Sequence, residues 1–146
     1  MDKFAREFSS KLGQLYRDVT KLEETALKEA NFGLTMSEVH LIDFISHHEN
    51  GITICEIASS MDVSRPTIST SVSKMVKKGY LVKEGLHKDA RKLTVKLSTD
   101  GARVSYLHTK CQREVIKNLG QDFTNEERDI LLRAIDKLNV YFSTKK

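Results

Sequence analysis

A mainly helical α+β fold is what this 146-residue sequence predicts, with long helices around a small core that carries a single two-stranded ribbon. Three observations predict it. Apolar residues at Phe8, Leu12, Leu15, Val19, Leu22 and Ala26 step alternately by four and three, which is a heptad stripe along one long helix. Two short helical patterns then follow each other across Asp62, Val63 and Ser64 alone. After them, strand-forming residues flank a polar, cationic loop, and the second strand alternates strictly between apolar and polar.

Each element follows from local chemistry. The first helix runs from Phe4 to about Ala30, and Asn31, Phe32 and Gly33 end it. Thr35 caps a second helix, with Glu38 placed three residues on to close a capping box. Val39, Leu41, Ile42, Phe44 and Ile45 make that helix apolar almost all round, so it is expected to be buried. A polar break over 47–51 leads to a third helix at 53–61, with Ile54, Ile57, Ala58 and Met61 at helical spacing. Ser64 caps the fourth helix, Pro66 suits its first turn, and Gly79 stops it. Its inner stripe is Ile68, Val72, Met75 and Val76. Strands are expected at 80–84 and 92–97 around the loop 85–91. Ser98 or Thr99 then begins a long helix through Val104, Leu107, Cys111, Val115 and Leu119, which Gly120 stops. Thr124 and Glu127 open a last helix bearing Ile130, Leu131, Ala134, Ile135, Leu138 and Tyr141. No internal repeat, low-complexity tract or Pro-rich linker interrupts the chain. It divides into an N-terminal helix (1–34), a core (35–98) and C-terminal helices (99–146).

Charge is concentrated on that core. Between Ser64 and Lys96 there are nine Lys/Arg against two acids, a local +7 within an overall +4, so the remainder carries −3. The outer face of the fourth helix bears Ser64, Arg65, Thr67, Ser69, Thr70 and Ser73, followed by Lys74 and Lys77. Short hydroxyls let a backbone approach base edges, and lysines suit phosphates. The loop adds His87, Lys88, Asp89, Arg91 and Lys92. A helix, a turn, a polar second helix and a basic ribbon in that order read as a DNA-binding winged helix-turn-helix.

The chain resembles the MarR family of winged helix-turn-helix regulators. Asp89-x-Arg91 in the wing and Leu97-Ser98-x-x-Gly101 at its exit carry the resemblance, in register with the helix-turn-helix. Ala90 departs from it, since a second basic residue is common there. The resemblance implies a homodimer formed by the first and last two helices, here through Phe8, Leu12, Leu15, Val19, Ile130, Ala134, Leu138 and Tyr141. It also implies a regulator, here read as a repressor, with the 64–78 helix in the major groove and the 85–92 wing in the minor groove of double-stranded DNA. An effector, small-molecule or acyl-type, would lie between the core and the dimerisation helices. Two short stretches, 37–42 and 67–72, are also similar to regulators of fatty-acid synthesis genes, too briefly to name the genes controlled.

Other classes find less support. There is no G-x-S-x-G, no Gly-rich phosphate loop and no H-E-x-x-H, so no catalytic residue is assigned and the chain is not read as an enzyme. The lack of a long apolar run and the early N-terminal charges argue against a membrane span or signal peptide. Cys55 and Cys111 make no CxxC pair, which suits the cytoplasm. His108 and Cys111 share a helix face, and His40 stands near Glu38, with His47 and His48 beyond, so a metal- or thiol-sensing regulator is an alternative. Cys111 reads more simply as a core residue, Cys55 as a buried thiol and the histidines as surface or capping groups, so no metal or cofactor is assigned. A protein-interaction module would keep the heptad faces and lack salt-dependent duplex binding.

Overall fold

The computed structural model describes residues 2–85 and 93–145, and these fall into two compact units, Met1–His108 and Thr109–Lys146. The elements are α1 (Lys3–Ala30), α2 (Met36–Ser46), β1 (Ile52–Thr53), α3 (Ile54–Met61), α4 (Arg65–Lys77), β2 (Leu81–Glu84), β3 (Thr94–Leu97), α5 (Thr99–Gln121) and α6 (Asn125–Ser143). The mainly helical α+β architecture expected from the sequence is present. The loop that carries His87, Lys88, Asp89, Arg91 and Lys92 lies outside the described residues.

Helix ends follow the capping residues. Thr35 and Glu38 form the expected box at the start of α2, as do Thr124 and Glu127 at α6. Thr53 and Glu56 form a third box at α3. Asn31 and Asp62 adopt left-handed conformations where α1 and α3 stop. Gly79 sits at φ +88° beyond α4, its N–H bonded to the Val76 carbonyl while that of Tyr80 reaches Met75, both at 3.0 Å. That pair of bonds is a Schellman closure, and it turns the chain directly into β2. α5 runs one residue past Gly120, which therefore does not stop it.

The sheet has three strands in the order β1-β3-β2, all antiparallel. Leu81 faces Leu97 and Lys83 faces Val95 across the ribbon, while β1 sets Ile52 against Val95. Ile42, Ile45, Ile57, Val72, Met75, Leu81, Val95 and Val104 are almost wholly removed from solvent, each worth about 1.5–3 kcal/mol of burial. One core thus holds α2, α3, α4, the sheet and the start of α5 together, with Leu27 and Phe32 packed against it. In contrast, neither α1 nor α6 has a buried residue.

The exit from the wing is built to close tolerance. The Ser98 N–H donates to the Tyr80 carbonyl at 3.0 Å, and its hydroxyl donates to that of Gly79 at 2.6 Å. The same hydroxyl oxygen accepts from the Gly101 N–H at 3.1 Å, so Ser98 caps α5 while tying it to the end of α4. Gly101 lies so near that a Cβ there would overlap the Tyr80 carbonyl oxygen. This gives a physical reason for the Leu-Ser-x-x-Gly sequence. Among the described residues, no helix is long and apolar enough to cross a membrane.

Candidate nucleic-acid interface

α3 and α4 are separated by Asp62, Val63 and Ser64. The Ser64 hydroxyl accepts from the Thr67 N–H and lies 2.7 Å from the Thr67 hydroxyl, so the cap and the first outward hydroxyl of α4 are coupled. Ile68, Val72 and Met75 are buried against the core, which turns the opposite face of α4 outward. Ser64, Arg65, Thr67, Thr70, Ser73, Lys74 and Lys77 are exposed on it. Ser69, placed on the same outer face by the sequence, is half-buried at its margin.

The cations of this region are not equivalent. Glu38 is buried at the start of α2, and its carboxylate lies 3.1 Å from Lys74 Nζ and 3.1 Å from Lys78 Nζ. Lys78 also donates to the Gly33 carbonyl at 3.1 Å. Lys96 pairs with Glu84 at 2.8 Å across the ribbon, and Lys83 donates to Ser73 at 3.4 Å. Part of the cationic charge therefore fixes α4 and the ribbon in place, and Lys74 has a carboxylate partner within the chain.

Burial pushes the Glu38 carboxyl up. The Thr35 N–H and the ammonium groups of Lys78 and Lys74 outweigh it and hold the group below its ordinary value of 4.5. A lowered carboxylate contributes stability that is fully present above 4.5 and is lost as pH falls through the folded value. Glu38→Gln keeps much of the shape but removes the charge, so it should cost about 1–2 kcal/mol at pH 7, discounted for the solvent around both lysines. Denaturant unfolding of the two proteins should converge as pH drops below 4.5. An equal gap at neutral and strongly acid pH would exclude the ion-pair explanation.

Cys55 is half-buried and lines an open depression at the helix-turn-helix with Ser59, Asp62, Ser64 and Arg65, so it is not the buried thiol expected from its apolar neighbours. His40 and His47 are exposed, as expected of surface groups, while His48 and His108 are half-buried. His40 faces Glu23 on α1, and His108 faces Asp43. Glu38 instead faces Lys74 and Lys78, and Cys111 falls in the second unit. Glu23 was not predicted, because a carboxylate on a polar helix face gives no local sign of a partner far along the chain.

An exposed polar helix set on a scaffold helix, with an antiparallel ribbon at its end, defines a winged helix-turn-helix. Residues 32–92 match the model of the MarR family. A curated relative, the HTH-type transcriptional regulator PchR of Bacillus subtilis, is 27% identical over 108 residues. That match covers 70% of this chain and 62% of the relative, so the chain spans under two thirds of that protein's length. FabT of Streptococcus pneumoniae, crystallised in complex with DNA, superposes with a TM-score of 0.90 at 20% identity, covering 97% of this chain and 99% of FabT. MarR of Staphylococcus aureus, in complex with salicylate and kanamycin, gives 0.83 at 14% identity over 99% and 96% of the two chains. Residues 32–92 are thus similar to the MarR family, and the solved structures share the winged helix-turn-helix fold of this chain.

Proposed function

We propose that this chain is a homodimeric, sequence-specific regulator of transcription that reads pseudo-palindromic double-stranded DNA. The 64–78 helix enters the major groove and the 85–92 wing the minor groove. The observation that carries the reading is the exposed face of α4, with hydroxyls at its start and Lys77 in its last turn, held rigidly by the Schellman closure and the Glu38 ion pairs. One such helix reads few base pairs. Two copies on a dyad can occupy successive major grooves about 34 Å apart.

The faces that would join the copies are open within the protomer. Leu15 is 60% exposed and Val19 47% on α1, and Ile130 is 58% exposed and Tyr141 56% on α6. Phe8, Leu12 and Ala134 are also exposed, and Leu138 is half-buried. A helix of 28 residues without one buried side chain is stable when a second copy covers its apolar stripe. The regulator acts in the cytoplasm as a repressor, since occupying a promoter requires only the DNA-binding surface. A small-molecule or acyl-type effector would act by changing the separation of the two reading heads.

Selection of bound duplexes from a random pool, repeated with two variants, tests the assignment of contacts. Thr70→Ala should relax preference at particular positions of the selected site, at about 1 kcal/mol for one lost hydroxyl contact. Lys77→Ala should weaken all duplexes alike and flatten the salt slope by about one. If both variants weakened every sequence uniformly, the base-reading role of α4 would be wrong.

A further inference from the structure

Two ammonium groups share the Glu38 carboxylate at the flank of α4, and they are not held alike. Lys78 reaches both carboxylate oxygens, at 3.2 and 3.1 Å, and donates to the Gly33 carbonyl at 3.1 Å. Its side chain is 31% exposed. Lys74 pairs with one of those oxygens alone, at 3.1 Å, and its side chain is 59% exposed. The Glu38 side chain is 9% exposed, so its charge needs a cation, and Lys78 supplies one without Lys74. Lys74 stands one helical turn from both Thr70 and Lys77, so its ammonium, once released, lies beside the outward face of α4.

We infer that Glu38 competes with DNA phosphate for Lys74 and so holds duplex affinity below what the outer face of α4 could reach. The inference rests on the DNA-binding role proposed above. Carboxylate and phosphate oxygens are alternative partners for one ammonium, so a lysine paired with the first is withheld from the second. Duplex binding breaks the Lys74 pair, and Lys78 keeps Glu38 neutralised while Lys74 turns to a phosphate. Phosphate contacts carry no base identity. The pair therefore lowers affinity for every sequence alike, which restrains adhesion to unrelated DNA and leaves the base preference of α4 unchanged. If Glu38 served only to hold α4 in place, its loss would weaken the fold and DNA binding together.

Glu38→Gln separates the two roles. Glutamine preserves the capping box with Thr35, while Lys78 on Gly33 and the Tyr80 hydroxyl on the Phe32 carbonyl, at 2.8 Å, still hold the end of α4. Unfolding and duplex affinity are measured on the full chain, with one duplex retained from a random pool and one of scrambled sequence. Stability should fall, yet both duplexes should bind about 3-fold tighter per α4 helix, or about 10-fold for two. In a Lys74→Met background, Glu38→Gln should add almost nothing. In the native chain, the Lys74 ammonium resonance should shift when duplex is added and that of Lys78 should not, a readout that depends on no variant. Unchanged or weaker binding by Glu38→Gln, a gain that survives Lys74→Met, or a Lys74 resonance unmoved by duplex would overturn the competition. A native chain that binds no duplex refutes the proposed function itself, whereas one that binds but is not tightened by Glu38→Gln refutes only this inference.

Discussion

Gly101→Ala should destabilise the protein by about 2 kcal/mol, even though alanine is the better helix former. Two effects of opposite sign compete. In a helix interior the substitution gains about 1 kcal/mol. Against this, the new Cβ overlaps the Tyr80 carbonyl oxygen, and backbone cannot rotate away as a side-chain end can. Overpacking of this kind costs about 3 kcal/mol, so the clash wins. Relief would move Tyr80 or the start of α5, and Ser98 hydrogen-bonds both Tyr80 and Gly79 next to the end of α4. Duplex affinity should therefore fall along with stability. Gly120→Ala is the control, because the nearest atom to its Cβ is Arg128 Nη2 at 3.9 Å. It should be neutral or slightly stabilising. Thermal unfolding decides: Gly101→Ala should melt several degrees lower. If both variants matched the native chain, the close approach at the wing exit would carry no energetic weight.

The second large effect concerns assembly. Leu15→Lys with Val19→Lys places two charges on a face that is already open in the protomer, so the fold of one chain should survive. Burying those charges between two copies would not be tolerated without partners. Sedimentation should show the native chain as a dimer and the variant as a monomer with the same helicity. Binding to a dyad-symmetric duplex should drop by about 10²–10⁴-fold, because the second half-site no longer adds its effective concentration. A variant that stayed dimeric, or a monomer that bound the dyad site normally, would remove α1 from the interface.

Much of the architecture is legible in the residues because caps and stripes are local. Thr35 with Glu38 and Thr124 with Glu127 marked helix starts that the structure contains. Ser64 and Pro66 placed the start of α4, and Ile68, Val72 and Met75 named its buried side. Thr53 and Glu56 carry the same capping pattern, overlooked because the residues around them already read as helix. β1 escaped for a different reason: two residues cannot show an alternation, and Ile52 becomes a strand only through its pairing with Val95. Gly120 misled because a glycine near a helix end looks like a stop, whereas α5 continues through it. The least legible features were long-range charge pairings. Glu38 reads as a cap, and nothing near it in sequence announces Lys74 and Lys78. Likewise Glu23 reads as solvated helix surface until His40 is set beside it.

The most direct test of the central claim is the sequence of the DNA that the purified native chain retains from a random duplex pool at moderate salt. A dimer that presents two α4 helices predicts one enriched motif with dyad symmetry, its half-sites centred about 10–10.5 base pairs apart, and affinity that falls steeply as salt rises. A pool that comes back without enrichment, or with a single half-site lacking any symmetric mate, would contradict it.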